Sequence, residues 1–193
     1  MNLRDDLQLI YDWIPAGSRV LDLGCGNGEL LAALVGHKEC SGYGVEIDTD
    51  SVIEAMSRGV NVIQADLEQG LEEFGDNTFD VIVLSQTIQS MQNTEMILRG
   101  LMRVAKQAVV TFPNFGYWRN RFQIALGGHM PVSERMPYHW YNTPNIHWCT
   151  LKDFDLLCAK NNICVLERAV MAGNKRVRHL PNLLGSLAFY RVG

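Results

Sequence analysis

Residues 20–31 read VLDLGCGNGELL: an apolar run, glycine at positions 24, 26 and 28, and then leucines again. Glycine reaches positive φ without steric cost and leaves room for a ligand to approach the main chain, so this pattern predicts a strand, a tight turn and a helix. The residues on either side extend the same rhythm. Leu3, Leu7, Ile10, Tyr11 and Ile14 recur at helical spacing and predict a first helix stopped by Pro15 and Gly17. RVLDLG is the first strand and GELLAALVG a helix ending near Gly36; GYGVEID is a second strand and SVIEAMSRG a helix capped by Thr49 or Asp50. VNVIQAD and FDVIVLSQ predict strands three and four, TEMILRGLMRVAK a helix, and QAVVTFPN a fifth strand.

Strands that are apolar on both faces and alternate with helices belong to a parallel sheet covered on both sides. NICVLERAVMAG and SLAFYRVG, joined by a loop, predict an antiparallel pair at the sheet edge. The expected fold is therefore α/β: a doubly wound, mostly parallel seven-stranded sheet with an antiparallel last pair, in one domain over residues 1–193. Residues 113–150, rich in Pro, Gly, Asn and aromatics, are too long for a passive connector and predict an ordered functional segment.

Composition removes several classes. A net charge of −4 argues against a general nucleic-acid binder, whose affinity comes from cations neutralising phosphates. The first residues carry acids early, unlike a secretory leader or a membrane span, which makes the cytoplasm the expected compartment. Five cysteines without a C-x-x-C pair or a Cys/His cluster at zinc spacing predict reduced thiols and no metal.

The glycine turn is not a dinucleotide fingerprint, because G-x-G-x-x-G requires glycine at 29, where Glu29 stands. A carboxylate opening the helix also repels the pyrophosphate that such a helix end normally holds. Three acids instead describe a ligand without phosphates. Glu46 ends strand two, where a carboxylate accepts from both ribose hydroxyls. Asp66 ends strand three, within reach of an adenine amine, and Asp22 lies inside the glycine motif, placed for a cationic group. A ribose, an adenine and a positive centre together describe S-adenosylmethionine or its product S-adenosylhomocysteine.

At these residues the chain resembles the class I S-adenosylmethionine-dependent methyltransferases, a Rossmann-like fold. VLDLGCGNG is similar to their first motif, GVEID to the second, QADLEQGL to the third and FDVIVLSQTIQSM to the fourth. The resemblance implies cofactor contacts from Asp22, Leu23, Gly24, Cys25, Gly26, Asn27, Gly28, Glu46, Ile47, Asp66, Leu67 and Ser85. Strand four runs into Leu84-Ser85-Gln86-Thr87, without the (N/D)-P-P-(Y/F) motif of enzymes that methylate base amines. If a methyl acceptor binds, the candidates to line its site are Gln86, Thr87, Asn114, Tyr117, Trp118, Tyr138, Tyr141 and His147. Of these Gln86, Asn114, Tyr117 and His147 are the candidate catalytic groups, with His147 as a base or a structural hydrogen-bonding residue.

Residues 111–158, from TFPNFGYW to FDLLC, resemble the diagnostic segment of the methionine biosynthesis protein MetW family, as do LSQTIQSM, PNLL and the first helix. That resemblance implies an accessory role beside a MetX-type homoserine O-acyltransferase rather than independent methyl transfer. The aromatic segment is then a partner surface that bound S-adenosylmethionine orders. An active methyltransferase on a small molecule is the alternative. The basic run NKRVRH, residues 174–179, reads either as a solvated loop or as one that steers an acidic partner surface.

Overall fold

The computed structural model describes residues 3–67 and 71–193, so Glu68, Gln69 and Gly70 of the QADLEQGL motif lie outside the described residues. The chain forms two compact units, one of residues 1–85, 95–109 and 193, the other of residues 86–94 and 110–192.

The first unit contains α1 (Asp5–Trp13), β1 (Arg19–Leu23), α2 (Glu29–Lys38), β2 (Ser41–Glu46), α3 (Thr49–Ser57), β3 (Val62–Gln64), β4 (Phe79–Ser85), nearly all of α4 (Thr94–Val104) and the start of β5 (Ala105–Pro113). β1 pairs in parallel with both β2 and β4, and β2 with β3. The apolar runs are buried as their unbroken hydrophobicity requires: Val20, Leu21, Ile82, Val83 and Leu84 are each 0% exposed. Helices close over them with Ile10 and Ile14 around α1, Leu31 and Leu34 on α2, and Leu98 and Leu101 on α4.

α2 runs two residues past Gly36, to Lys38, and ends on Glu39, whose left-handed backbone closes the helix. Its last residue, Lys38, donates to the carbonyls of Tyr11 (2.6 Å) and Ile14 (2.7 Å), satisfying the orphan end of α1. The cap of α3 is Asp48 rather than Thr49 or Asp50. Its extended backbone lets Oδ1 accept from Ser51 N at 2.9 Å. At the opposite end of the strands Asp80 accepts from Arg19 N (3.0 Å) and Lys106 Nζ (2.8 Å), which hold its carboxyl well below the usual carboxylate range.

The second unit contains the end of β5, α5 (Trp118–Gly127), α6 (Leu151–Lys160), β6 (Val165–Ala172), β7 (Lys175–Arg176), α7 (Pro181–Leu184) and β8 (Leu187–Val192). β6 is antiparallel to β8 and to the two-residue β7, which lies in the basic run and raises the strand count from seven to eight. Phe112, Phe154 and Tyr190 form its aromatic core, with ring centroids 4.6–5.7 Å apart. The Tyr190 hydroxyl donates to Asp155 Oδ1 at 2.9 Å, and burial raises its pKa. The sequence pattern left α6 unassigned; Thr150 and Asp153 start it with a reciprocal capping box. Among the described residues no helix is long and apolar enough to cross a membrane, and no group of three or more His, Cys, Asp or Glu is placed to hold a metal.

Candidate functional site

The cofactor candidates all fall in the first unit, at the ends of β1, β2, β3 and β4. The turn is tied to β2 by Gly24 N and Cys25 N, which both donate to the Val45 carbonyl at 2.8 and 3.1 Å. Gly26 and Gly28 have φ of 54° and 73°. A side chain at 28 would stand 2.8 Å from Ala55 Cβ, so glycine there lets α2 begin against α3. At Gly26 a Cβ would meet nothing within 4 Å, which is the open side a ligand can approach.

Glu46 is held by three main-chain donors: Gly26 N to Oε2 at 2.9 Å, and Ile47 N and Asp48 N to Oε1 at 2.8 and 3.0 Å. A carboxylate offers about four acceptor sites, so roughly one, on Oε2, stays open to a ribose hydroxyl. Beside it Ile47 is 63% exposed, a flat apolar surface of the kind a purine covers. β3 ends at Gln64, so Asp66 stands two residues beyond the strand and is exposed, while Leu67 and Ser85 are half-buried. Asn27 Oδ1 accepts from Glu29 N at 3.3 Å, steadying the helix start.

The electrostatics set this site apart. Asp22 is 3% exposed, and its pKa is pushed up to about 7, first by burial and second by Glu46. The Cys25 thiol is pushed up to about 12 by burial, then by Asp22 and Glu46, so it is not a nucleophile at neutral pH. A buried carboxyl whose ionisation a neighbouring carboxylate disfavours defines a place for positive charge. A sulfonium or ammonium group fits that donor set and a phosphate does not.

The acceptor candidates all fall in the second unit. Gln86 leaves β4 with φ of 54°, uncommon for a non-glycine residue, held by its N–H on Thr111 and by its carbonyl, which accepts from Gln89 Nε2 at 2.6 Å. Ile146 N and His147 N donate to the Gln89 carbonyl at 2.8 and 2.9 Å, and the His147 ring nitrogen Nε2 lies 3.1 Å from the Gln92 carbonyl. That histidine therefore pins residues 145–147 to the stretch after β4. Asn114 is fully buried: its amide donates to the carbonyls of Asn182 and Gly185 and accepts from Gly116 N. Asn182 Oδ1 in turn accepts from Leu151 N at 3.0 Å. The PNLL helix thus anchors the turn after β5 and the start of α6. Tyr117 is the N-terminal flank of α5, its ring edge-on to Trp118, and Thr87 is half-buried.

Sequence periodicity missed α5. Its one buried residue is Asn120, while Trp118, Phe122, Ile124 and Leu126 are 40–73% exposed. A helix that buries a polar residue and shows its apolar ones offers no core stripe to detect. The exposed series continues through Met130, Tyr138, Trp140, Tyr141 and Ile146.

A parallel sheet with a glycine turn after β1, an acid fixed at the end of β2 and an antiparallel terminal pair is the Rossmann-like fold of the S-adenosylmethionine-dependent methyltransferases. Such an enzyme from Mesorhizobium loti has this fold with a TM-score of 0.71 at 13% identity, over 98% of this chain and 97% of its own. A possible histamine N-methyltransferase from Thermotoga maritima gives 0.69 at 18% identity, over 97% and 86%. Within that fold, the chain belongs to the methionine biosynthesis protein MetW family, which it matches over residues 4–192. The bifunctional methionine biosynthesis protein MetXA/MetW of Rhodopirellula baltica is 36% identical over 176 residues. The match covers 86% of this chain and 28% of that relative, so the chain spans little more than a quarter of the relative's length.

Proposed function

We propose that this chain is an S-adenosylmethionine- or S-adenosylhomocysteine-binding accessory protein of methionine biosynthesis that docks on a MetX-type homoserine O-acyltransferase and supports its activity. The observation that carries the docking role is the exposed apolar series of residues 118–146. It lies on an ordered helix and its following stretch, more than scattered surface hydrophobics require. The Rhodopirellula baltica relative bears the names MetXA and MetW on one polypeptide, and a fusion is one way to keep two docking partners at high effective concentration.

Cofactor binding rests on Asp22, Glu46, Ile47 and the open side of Gly26. The cofactor supplies a positive centre and a transferable methyl group; the chain supplies an anionic turn, a fixed ribose acceptor and an apolar face. In the second unit, the commitment of Asn114 and His147 to internal hydrogen bonds favours a structural over a catalytic use of both. S-adenosylmethionine regulates the complex to the extent that its affinity differs between the free and the docked chain, and by linkage partner affinity then changes by the same factor.

The test is co-purification with the acyltransferase, with S-adenosylhomocysteine release measured in parallel over a panel of small acceptors. A stoichiometric complex without product release supports the reading. Turnover on an acceptor without a complex moves the chain to an active methyltransferase.

A further inference from the structure

Residues 86–94 belong to the second unit and follow directly in the chain on Ser85, the last residue of β4 and a cofactor candidate. They hold more strain than a short connector requires. Gln86 is at φ 54°, a left-handed conformation that a residue with a Cβ keeps only when its surroundings impose it. Its N–H donates to the Thr111 carbonyl and to Thr111 Oγ1, both at 3.0 Å, and its carbonyl accepts from Gln89 Nε2 at 2.6 Å. That last bond fixes the Gln89 amide, since a flip would set oxygen against oxygen. Gln89 Oε1 is thereby left buried without a hydrogen-bond partner, and so is Thr94 Oγ1 at the far end of the stretch. Buried polar atoms are nearly always met, so two orphans beside a left-handed glutamine mark a segment held away from its own local minimum.

What holds it there is a second stretch of the same unit. The Gln89 carbonyl accepts from Ile146 N (2.8 Å) and His147 N (2.9 Å), and Ser90 Oγ donates to Asn145 Oδ1 at 3.2 Å. His147 Nε2 lies 3.1 Å from the Gln92 carbonyl, which can only accept, so the ring donates there. Ile146, 52% exposed, is the last member of the exposed apolar series. A displacement of Gln86 thus reaches that series through the Gln89 carbonyl. Segments packed in this way change by switching between arrangements rather than by gradual deformation. We propose that residues 86–94 are a strap that transmits occupancy of the S-adenosylmethionine turn to residues 145–147 and so changes how the apolar series meets the partner. This inference rests on the cofactor binding proposed above. The coupling runs along the chain from Ser85 to Gln86, and the ligand drives it only by the difference in its affinity for the two arrangements.

The experiment is amide hydrogen exchange of the full chain with and without saturating S-adenosylhomocysteine, with calorimetric titration of the same samples. The Ile146 and His147 amides read the strap directly, because both donate to Gln89. On ligand binding their exchange should change about fivefold more than that of the β8 amides, which report only general stabilisation by the ligand. Gln89→Met keeps the side-chain volume and removes the amide, and Ser90→Ala cuts only the tie to Asn145. In both, ligand affinity should hold within about twofold while the extra change at residues 146 and 147 falls by about half or more. Binding without an extra change at those two amides overturns the strap and leaves the cofactor reading standing. An undiminished change in both variants also overturns it, since the coupling then runs elsewhere. No heat of binding overturns the strap together with the cofactor reading.

Discussion

The glycine turn hides a charge, with Asp22 at 3% exposure, whereas α5 and the stretch after it display oil, with Trp140 at 74%, Leu126 at 73% and Tyr141 at 68%. Both arrangements break the usual sorting of polar groups outward and apolar groups inward. Each is unfavourable in the free chain, and under the proposed function each would be relieved by a different kind of bound molecule: a cation for the carboxylate, an apolar surface for the aromatics. Places where ordinary folding rules fail are where function is read, and here the two failures point to two tasks carried by two units.

The sharpest way to break this contrast is Asp22→Asn. A carboxyl raised from 3.8 to about 7 loses native-state stability as pH rises through that interval, because the unfolded form releases its proton first. By pH 8 the penalty approaches about 4 kcal/mol. The substitution should therefore raise the thermal midpoint of the free chain at pH 8, while calorimetry shows S-adenosylmethionine affinity falling about a hundredfold or more. Gly28→Val should cost roughly 2–3 kcal/mol in a urea titration, since it adds a clash with Ala55 at positive φ.

On the other side of the comparison, Phe122→Ser with Trp140→Ser should leave the urea midpoint nearly unchanged and weaken acyltransferase binding by about tenfold to a hundredfold in surface plasmon resonance. The wild-type chain should bind S-adenosylmethionine with full affinity above pH 7. Below it, affinity should fall by up to about tenfold per pH unit, as protonated Asp22 must lose its proton to meet the cation. The smallest effect is expected from Lys175→Glu with Arg176→Glu and Arg178→Glu. Association with the partner should slow by about a few-fold, more at low salt, with cofactor affinity untouched.

Legibility from sequence followed the same division. In the first unit, unbroken apolar strands, the glycine spacing and the terminal acids are local signals, and they located β1, β2, β4 and the candidate turn. What they lacked was the hydrogen bonding that decides details. Asp48 caps α3 because of its backbone angle, and Glu46 is largely occupied by main-chain amides that no side-chain pattern reports. In the second unit α5 escaped notice because it buries Asn120 and exposes its aromatics. α6 was readable only through Thr150-Leu151-Lys152-Asp153, a capping box at the end of a long irregular stretch. β7 is two residues in a basic run, below the length at which alternation says anything. The roles of Asn114 and Asn182 come from contacts nearly seventy residues apart and were beyond any local reading.

The most direct test of the central claim is the rate of homoserine acylation by a purified MetX-type acyltransferase, with and without this chain, across a range of S-adenosylmethionine. Acylation should depend on the chain, be lost with the Phe122→Ser, Trp140→Ser pair, and proceed without S-adenosylhomocysteine release. Acylation indifferent to the chain at every cofactor concentration would contradict it.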